Sequence, residues 1–172
     1  MSSNSRSPRR FYGKYRGKVT GNRDPLGLGR VMVECVAVFG EGRQNWAEPC
    51  SPYAGNGVGL FLVPPVDAQV WVEFEAGDPQ KPILGGCFWG AGEVPVLAGL
   101  AEVKVLKTGI AELKLSELPS DGGLAITISP PAVPEKVTIN ADLTGVSVSI
   151  GRSTIKLSGL SVSINDGALE VT

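Results

Sequence analysis

The feature that most constrains the fold is the alternation of apolar and polar residues from Lys136 to Thr172. Successive side chains of a β-strand point to opposite faces of its sheet. The pattern therefore predicts short strands with one apolar face and one face of Ser, Thr, Asn, Asp and Lys. The six residues that begin at Gly145 recur almost unchanged from Gly159, so the segment also contains an internal repeat.

The apolar face of these strands has too little following sequence to cover it. Several identical chains wrapped around one axis would bury the face in a shared core and remove most exposed sheet edges. We therefore expect an obligate homo-oligomer with an intertwined β-helical stalk, for which a trimer is the simplest tube. The alternative is an ordinary antiparallel sheet packed on the rest of the protein. The predicted stalk core comprises Val137, Ile139, Val146, Val148, Ile150, Ile155, Leu157, Leu160, Val162, Ile164, Leu169 and Val171.

Composition favours strands and turns throughout the chain. The 172 residues include 23 Gly and 13 Pro, which interrupt helix interiors, whereas 42% hydrophobic residues suffice for a folded core. The fold class predicted is all-β. Before the stalk, five strands are expected within about eighty residues, a number that suits a small closed barrel of the OB type. They are Phe11–Thr20, Arg30–Phe39 as a strand buried on both faces, Val58–Val63, Ala68–Phe74 and Ile83–Trp89.

Four segments are predicted along the chain. Residues 1–10 form a basic flexible arm, 11–92 the OB-fold domain, 93–135 a connector and 136–172 the stalk. Within the connector, short strands are expected at Glu102–Leu106, Ala111–Leu115 and Leu124–Ile128.

The absence of histidine closes the commonest catalytic routes. No Ser-His-Asp or Cys-His nucleophile and no His-containing metal site is possible. Glu73 and Glu75 have the spacing of a carboxylate pair on one strand, but such pairs are common on solvent-facing strands. Cys50 has no histidine to activate it. Cys35, Cys50 and Cys87 are expected to be reduced and mostly buried. The sequence predicts neither an enzyme nor a bound metal or cofactor.

Charge is distributed unevenly. Residues 1–30 contain eight Lys or Arg and one Asp, a net of +7, although the whole chain carries −1. A basic arm can bind phosphates, and the competing interpretation is a solubilising tail followed by a strand with a charged outer face. Residues 1–10 lack the apolar stretch of a secretory signal, so we expect synthesis in the cytoplasm. The charge-free run Pro49–Val66 contains too many Pro and Gly residues for a membrane helix.

Two sequence blocks resemble a known family. The segment Gly21-Asn22-Arg23-Asp24-Pro25-Leu26-Gly27-Leu28-Gly29-Arg30-Val31-Met32-Val33 is similar to the loop and strand that open the OB-fold of phage baseplate spike proteins. That family includes baseplate assembly protein V and the VgrG proteins of type VI secretion. Residues 64–79 and 82–86 resemble its later strand, acidic turn and Pro-Ile strand. The residues expected to set the turns are Asp24, Pro25, Gly27, Gly29, Gly77, Asp78, Pro79, Pro82 and Gly85.

The resemblance implies a structural function. A homotrimeric spike would dock on a baseplate hub under the tail tube, touch the target membrane and puncture the envelope when a sheath contracts. Some relatives end in a His-lined iron site, which this chain cannot build. Its tip is closed either by residues near Asp166–Thr172 or by a separate cap of the PAAR type, and we expect the cap. The alternative function is single-stranded nucleic-acid binding by the OB-fold, with Phe11, Tyr12, Lys14, Tyr15, Arg16 and Lys18 as the basic and aromatic surface.

Overall fold

The protein is all-β and divides into two compact units. A computed structural model describes residues 9–96 and 100–171. The first unit extends to Glu93 and the second begins at Val94. The predicted arm lies outside the described residues, except for Arg9 and Arg10. Thr172, the last residue of the predicted tip, also lies outside them.

The first unit contains a closed barrel and a separate two-stranded hairpin. Its strands are β1 (Tyr15–Gly21), β2 (Val31–Glu34), β3 (Gln44–Pro49), β4 (Ala54–Gly55), β5 (Val58–Gly59), β6 (Gln69–Phe74) and β7 (Pro82–Phe88). The barrel closes in the order β1-β2-β3-β7-β6, with β1 pairing to β6. Only the β3–β7 pair is parallel among these neighbours. The five-stranded barrel confirms the OB-like fold predicted from the sequence.

The barrel core is formed by the inward-facing residues of its strands. Alternation places Val31 and Val33 of β2 inside, together with Val70, Val72 and Phe74 of β6. Burial of each such side chain stabilises the fold by about 1.5–3 kcal/mol relative to exposure. The complete buried cluster is Val19, Val31, Val33, Cys35, Ala47, Val70, Val72, Phe74 and Leu84.

The predicted strand Arg30–Phe39 is wrong in its second half. Strand β2 ends at Glu34, and Val36–Phe39 forms a short helix, α1, that ends at Gly40 with φ 83°. The helix brings the Phe39 ring to 5.7 Å from that of Phe74 and packs it against the core. A short apolar run fits either a strand or a helical turn, and here tertiary packing selects the helix.

The predicted strand Val58–Val63 is also wrong, and the barrel uses β3 instead. Only Val58–Gly59 of that run is extended, paired with Ala54–Gly55 in a two-stranded hairpin. Strand β3 is polar in sequence, and its Ala47 is the residue buried in the barrel core. It pairs with β2 on one side and with β7 on the other, so pairing rather than hydrophobicity defines it.

The cysteines are less buried than expected. All three are free, but only Cys35 is buried, whereas Cys50 and Cys87 are exposed. Burial raises the pKa of the Cys35 thiol, which keeps it a neutral core residue. The expectation of mostly buried thiols is therefore wrong.

The second unit is one antiparallel sheet of eight strands in sequence order. They are β8 (Val103–Lys107), β9 (Ala111–Ser116), β10 (Gly123–Ile128), β11 (Val137–Asp142), β12 (Gly145–Ile150), β13 (Ser153–Leu157), β14 (Val162–Ile164) and β15 (Leu169–Val171). Each strand pairs with the next by a hairpin connection. The three short strands expected before residue 135 are β8, β9 and β10, and they belong to the same sheet as the predicted stalk strands. Across the described part of the chain, no helix is long and apolar enough to cross a membrane.

Candidate functional site

One face of the C-terminal sheet is mainly apolar over its eight strands, with Lys104 of β8 and Ser153 of β13 as polar exceptions. Cross-strand partners share a face, and the register pairs Ile126 with Ile139, Ile139 with Val148, and Val148 with Ile155. We call this surface the apolar face. Its apolar members are Leu106, Ala111, Leu113, Leu115, Leu124, Ile126, Ile128, Val137, Ile139, Ala141, Val146, Val148, Ile150, Ile155, Leu157, Val162, Ile164, Leu169 and Val171.

Many side chains of the apolar face remain exposed in a single chain. Ile150 is 50% exposed, Ile155 45% and Val171 61%. Contiguous exposed apolar surface of this extent is uncommon on monomeric proteins and marks an interaction site. The surface therefore has the composition of a subunit interface.

The opposite face is predominantly polar from β9 to β15, whereas β8 places Val103 and Val105 on it. The hydroxyl groups of Thr138 and Ser149 are hydrogen bonded across β11 and β12. Lys156 forms an ion pair with Asp166, with Nζ 2.7 Å from Oδ1. The two faces of the sheet thus differ in chemistry as the alternation predicted.

Every predicted stalk-core residue except Leu160 lies on the apolar face. Leu160 is in the turn between β13 and β14 and is 89% exposed, so the repeated sequence does not produce a repeated structure there. The prediction also omitted the apolar residues of β8, β9 and β10, such as Leu113 and Ile126. Their strands alternate less regularly, but Leu113 and Ile126 are direct cross-strand partners.

The first family-like block forms a loop built around Asp24. The Asp24 carboxylate accepts hydrogen bonds from the backbone N–H groups of Leu26, Leu28 and Arg30 at 3.0, 2.9 and 3.3 Å. The Arg30 guanidinium binds the same carboxylate, with Nη2 2.7 Å from Oδ1. These donors hold the pKa of Asp24 well below its usual range, with the guanidinium as the largest cause.

Other residues of this block adopt the turn that Asp24 stabilises. Pro25 lies in the turn, and Gly27 and Gly29 have φ values of 68° and 76°, which L side chains rarely adopt. A Cβ at Gly29 would also collide with the ring of Phe61. The Arg30 guanidinium lies 5.4 Å from the ring centre of Trp46 on β3. The Asp24 loop therefore contacts Phe61 and, through Arg30, Trp46 of β3.

The second block forms the tight connection between β6 and β7. Gly77 has φ 75°, and its carbonyl accepts the Phe11 N–H at 2.9 Å. Asp78 accepts the Gln80 N–H at 3.0 Å, Pro79 lies in the following turn, and Pro82 begins β7. The expected close approach or bulge at Gly85 is present, since the β6–β7 register shifts there. A Cβ on Gly85 would press on the ion pair of Lys14 and Glu73.

An exposed apolar flap extends from the barrel over residues 53–62. It contains the β4–β5 hairpin, and its Tyr53, Phe61 and Leu62 are 63%, 74% and 59% exposed. Phe61 packs over Gly29, which ties the flap to the Asp24 loop. A cleft of about 560 Å³ lies beneath it and is lined mainly by this flap, with Cys50 and Cys87 at its wall.

The carboxylate pair and the basic surface are both engaged in ion pairs. Glu73 binds Lys14 and Glu75 binds Lys81, so each glutamate is paired with a different lysine. Lys18 pairs with Asp67. Within residues 9–96 and 100–171, no three His, Cys, Asp or Glu side chains are grouped as a metal site requires.

Arg16 lies against two aromatic rings in this region. Its guanidinium lies 4.9 Å from the ring centre of Trp71 and 4.6 Å from that of Phe88. Arginine stacked on aromatic rings occurs both as a structural contact and in nucleic-acid interfaces.

Comparisons with known proteins match both units. Residues 15–89 match the type VI secretion system and phage-baseplate injector OB domain, and residues 103–170 match the phage baseplate V C-terminal trimerisation domain. The type VI secretion system spike protein VgrG4b of Pseudomonas aeruginosa is 41% identical over 46 residues. That match covers 27% of this chain and 6% of VgrG4b, so the chain corresponds to a small part of that relative.

The fold and these matches define the class of protein. It is a structural all-β protein with an OB-like barrel followed by a trimerisation domain. The chain belongs to the baseplate spike family that includes the VgrG proteins. The strands that carry the apolar face lie within the residues matched by the trimerisation domain, apart from Val171.

Proposed function

We propose that this protein is the central spike of a contractile tail or injection-system baseplate and acts as a homotrimer. The observation that carries the proposal is the apolar face, which runs over the entire sheet matched by the trimerisation domain. Three copies that turn this face inward form a tube with a shared apolar core and a hydroxyl-rich outer surface. Winding of the tube into a β-helix is part of the proposal.

The flap on the barrel is the surface that we propose docks on the hub under the tail tube. Its exposed Tyr53, Val58, Leu60, Phe61 and Leu62 form the largest group of exposed apolar residues along one segment of the first unit. Apolar aromatic surface anchors many protein interfaces. The barrel would then provide the contact with the hub.

The hydrogen bonding of the sheet supports the proposed mechanical function. Each strand is paired with its chain neighbours from β8 to β15, so a load is distributed over many backbone hydrogen bonds. The contraction of a sheath would supply the energy, and the spike would transmit it to the envelope. No catalytic step is proposed. A separate PAAR-type protein would cap the tip, and the particle would assemble in the cytoplasm.

The proposal is tested first by the mass of the purified protein in solution. Light scattering after size exclusion should give three chains of 18.0 kDa each in an elongated particle. A compact monomer at micromolar concentration would contradict the proposal. Reconstruction of the assembled particle tests the cap, because a bare spike end would rule it out.

Single-stranded nucleic-acid binding is a second candidate, and the Arg16 stack with Trp71 and Phe88 is the observation that favours it. The ion pairs of Lys14 and Lys18 weaken it, because they neutralise two of the charges that a phosphate would need. A gel shift with single-stranded oligonucleotides that weakens as salt rises would support this function. No shift at low salt would eliminate it.

A further inference from the structure

Two leucines occupy hairpin tips on the same side of the C-terminal sheet, where its strands end in turns. Leu143 connects β11 to β12 and Leu160 lies between β13 and β14, and they are 88% and 89% exposed. Because alternate turns of a meander lie at the same edge, the two tips are two strand spacings apart, about 10 Å. We call this border of the sheet the leucine edge.

The opposite edge of strands β12 to β15 has different chemistry. Its turns contain Gly151 and Arg152 between β12 and β13, and Asn165–Ala168 between β14 and β15. Exposed turns are ordinarily built from Gly, Asn, Asp, Ser and Pro, as these are. Large apolar residues at turn tips are therefore confined to one side of this part of the sheet.

Both leucines are held on turns that a side chain fixes. Asp142 accepts the Thr144 N–H at 2.7 Å, and bonding to Thr144 lowers the pKa of this carboxyl. Ser158 Oγ accepts the N–H groups of Leu160 and Ser161 at 3.2 and 3.0 Å. Fixed turns lose little conformational entropy when they bind, so each leucine is presented in a preorganised position.

We infer that the leucine edge is the seam between copies of this chain, with Leu143 and Leu160 packed against the polar edge of the neighbouring copy. The inference rests on the proposed trimer. In a closed ring each copy offers one edge to one neighbour and the opposite edge to the other, so the interface is heterologous. The sheet meets this requirement, because its leucine edge and its opposite polar edge are different surfaces. The leucines cover the seam and exclude water from the apolar face behind it.

The first experiment compares association of the full chain with that of a double variant. Leu143→Ser with Leu160→Ser should weaken trimer association at least tenfold, measured by sedimentation at a common urea concentration. The matched control is Leu26→Ser, which makes the same change at an exposed turn of the first unit. Association of the double variant equal to that of the control would overturn the inference.

A labelling experiment avoids any effect of the double variant on folding. In a chain carrying Cys50→Ser and Cys87→Ser, single Leu143→Cys, Leu160→Cys and Leu26→Cys variants are treated with a maleimide. Cysteines at 143 and 160 should react at least tenfold more slowly than the one at 26 in the trimer, and equally fast after dissociation. Equal rates in an intact trimer would refute the seam alone, whereas a monomeric parent chain would refute the proposed function.

Discussion

Arg30 binds the carboxylate of Asp24 through two guanidinium nitrogens, Nε at 3.1 Å from Oδ2 and Nη2 at 2.7 Å from Oδ1. The Asp24 side chain is 3% exposed and that of Arg30 is 18% exposed. Charge-assisted bonds of this bidentate kind are shorter and stronger than neutral ones. This pair fixes the loop between β1 and β2 and connects it through Arg30 to Trp46 on β3.

We expect Asp24→Asn to destabilise the barrel and to reduce its sensitivity to acid. The pKa of Asp24 is lower in the folded protein than in the unfolded chain, so its stabilising contribution is present above about pH 4 and is lost as the pH falls below it. Urea unfolding followed by tryptophan fluorescence from pH 7 to pH 2 measures this loss. In the Asp24→Asn variant the acid-dependent decrease should be smaller.

The exposed Glu41 provides the control for that experiment. Glu41→Gln also removes one carboxylate, but from the turn that follows α1. Equal pH profiles for the two variants would show that the Asp24–Arg30 pair has no special contribution to stability.

Val33→Ala should lower the free energy of unfolding of the barrel by about 2–3 kcal/mol, since it removes two buried methyl groups and leaves a cavity. Val33 is fully buried in the core, whereas Val58 of the flap is 56% exposed. Val58→Ala should change stability by less than about 0.5 kcal/mol. Chemical denaturation of both variants is the measurement, and similar losses would contradict the assigned core.

Ile139→Lys should convert the trimer to smaller species, because a charge would enter the shared apolar core. Asn140→Lys is the matched control, since Asn140 is the next residue on β11 and faces the polar side beside Ser147. Light scattering at micromolar concentration should show loss of the trimer for the first variant only. A trimer that tolerates lysine at both positions would exclude the apolar face as its interface.

Gly145→Ala and Gly159→Ala should have opposite outcomes although the two glycines begin the same sequence repeat. Gly145 has φ 129°, and a Cβ there would collide with the Leu157 carbonyl, whereas a Cβ on Gly159 meets open space. We expect a loss on the order of 2 kcal/mol at 145 and little change at 159. Thermal unfolding of the two variants tests this prediction. Equal losses of stability would indicate that the two copies of the repeat have equivalent structures.

Leu60→Ser with Leu62→Ser should reduce incorporation of the spike into particles several-fold while leaving the trimer intact. The two side chains are 48% and 59% exposed on the flap. Val36→Ser, at a residue 51% exposed elsewhere on the barrel, serves as the control. Sedimentation of assembled particles followed by immunodetection measures incorporation. Normal incorporation of the double variant would exclude the flap as the hub contact.

The sequence predicted the parts of the fold in which periodicity and burial agree. Strand β6 alternates without interruption, and its Val70, Val72 and Phe74 are all buried. The polar strand β3 was not predicted, because its position in the barrel depends on pairing with β2 and β7. Only its Ala47 is buried in the core. The apolar residues 60–62 lie outside the barrel core, because hydrophobicity by itself does not distinguish a core strand from an exposed apolar segment.

The sequence likewise predicted only some residues of the apolar face. Alternation was sufficient to find Ile139, Val148 and Ile155, because period two determines the face of a strand. It was insufficient for Leu160, since a turn residue has no face, and for Leu113 and Ile126, whose partnership depends on the register of β9 and β10.

The sequence by itself determined that this protein is all-β, that its C-terminal strands have one apolar face and that its turns fall at Gly, Asp and Pro. These properties are local, because they depend on side-chain alternation and on backbone freedom at single residues. Only the tertiary structure decided which strands close the barrel, where β2 gives way to α1 and which leucines lie at an edge. Those choices depend on pairing between segments distant in sequence, which no local pattern contains.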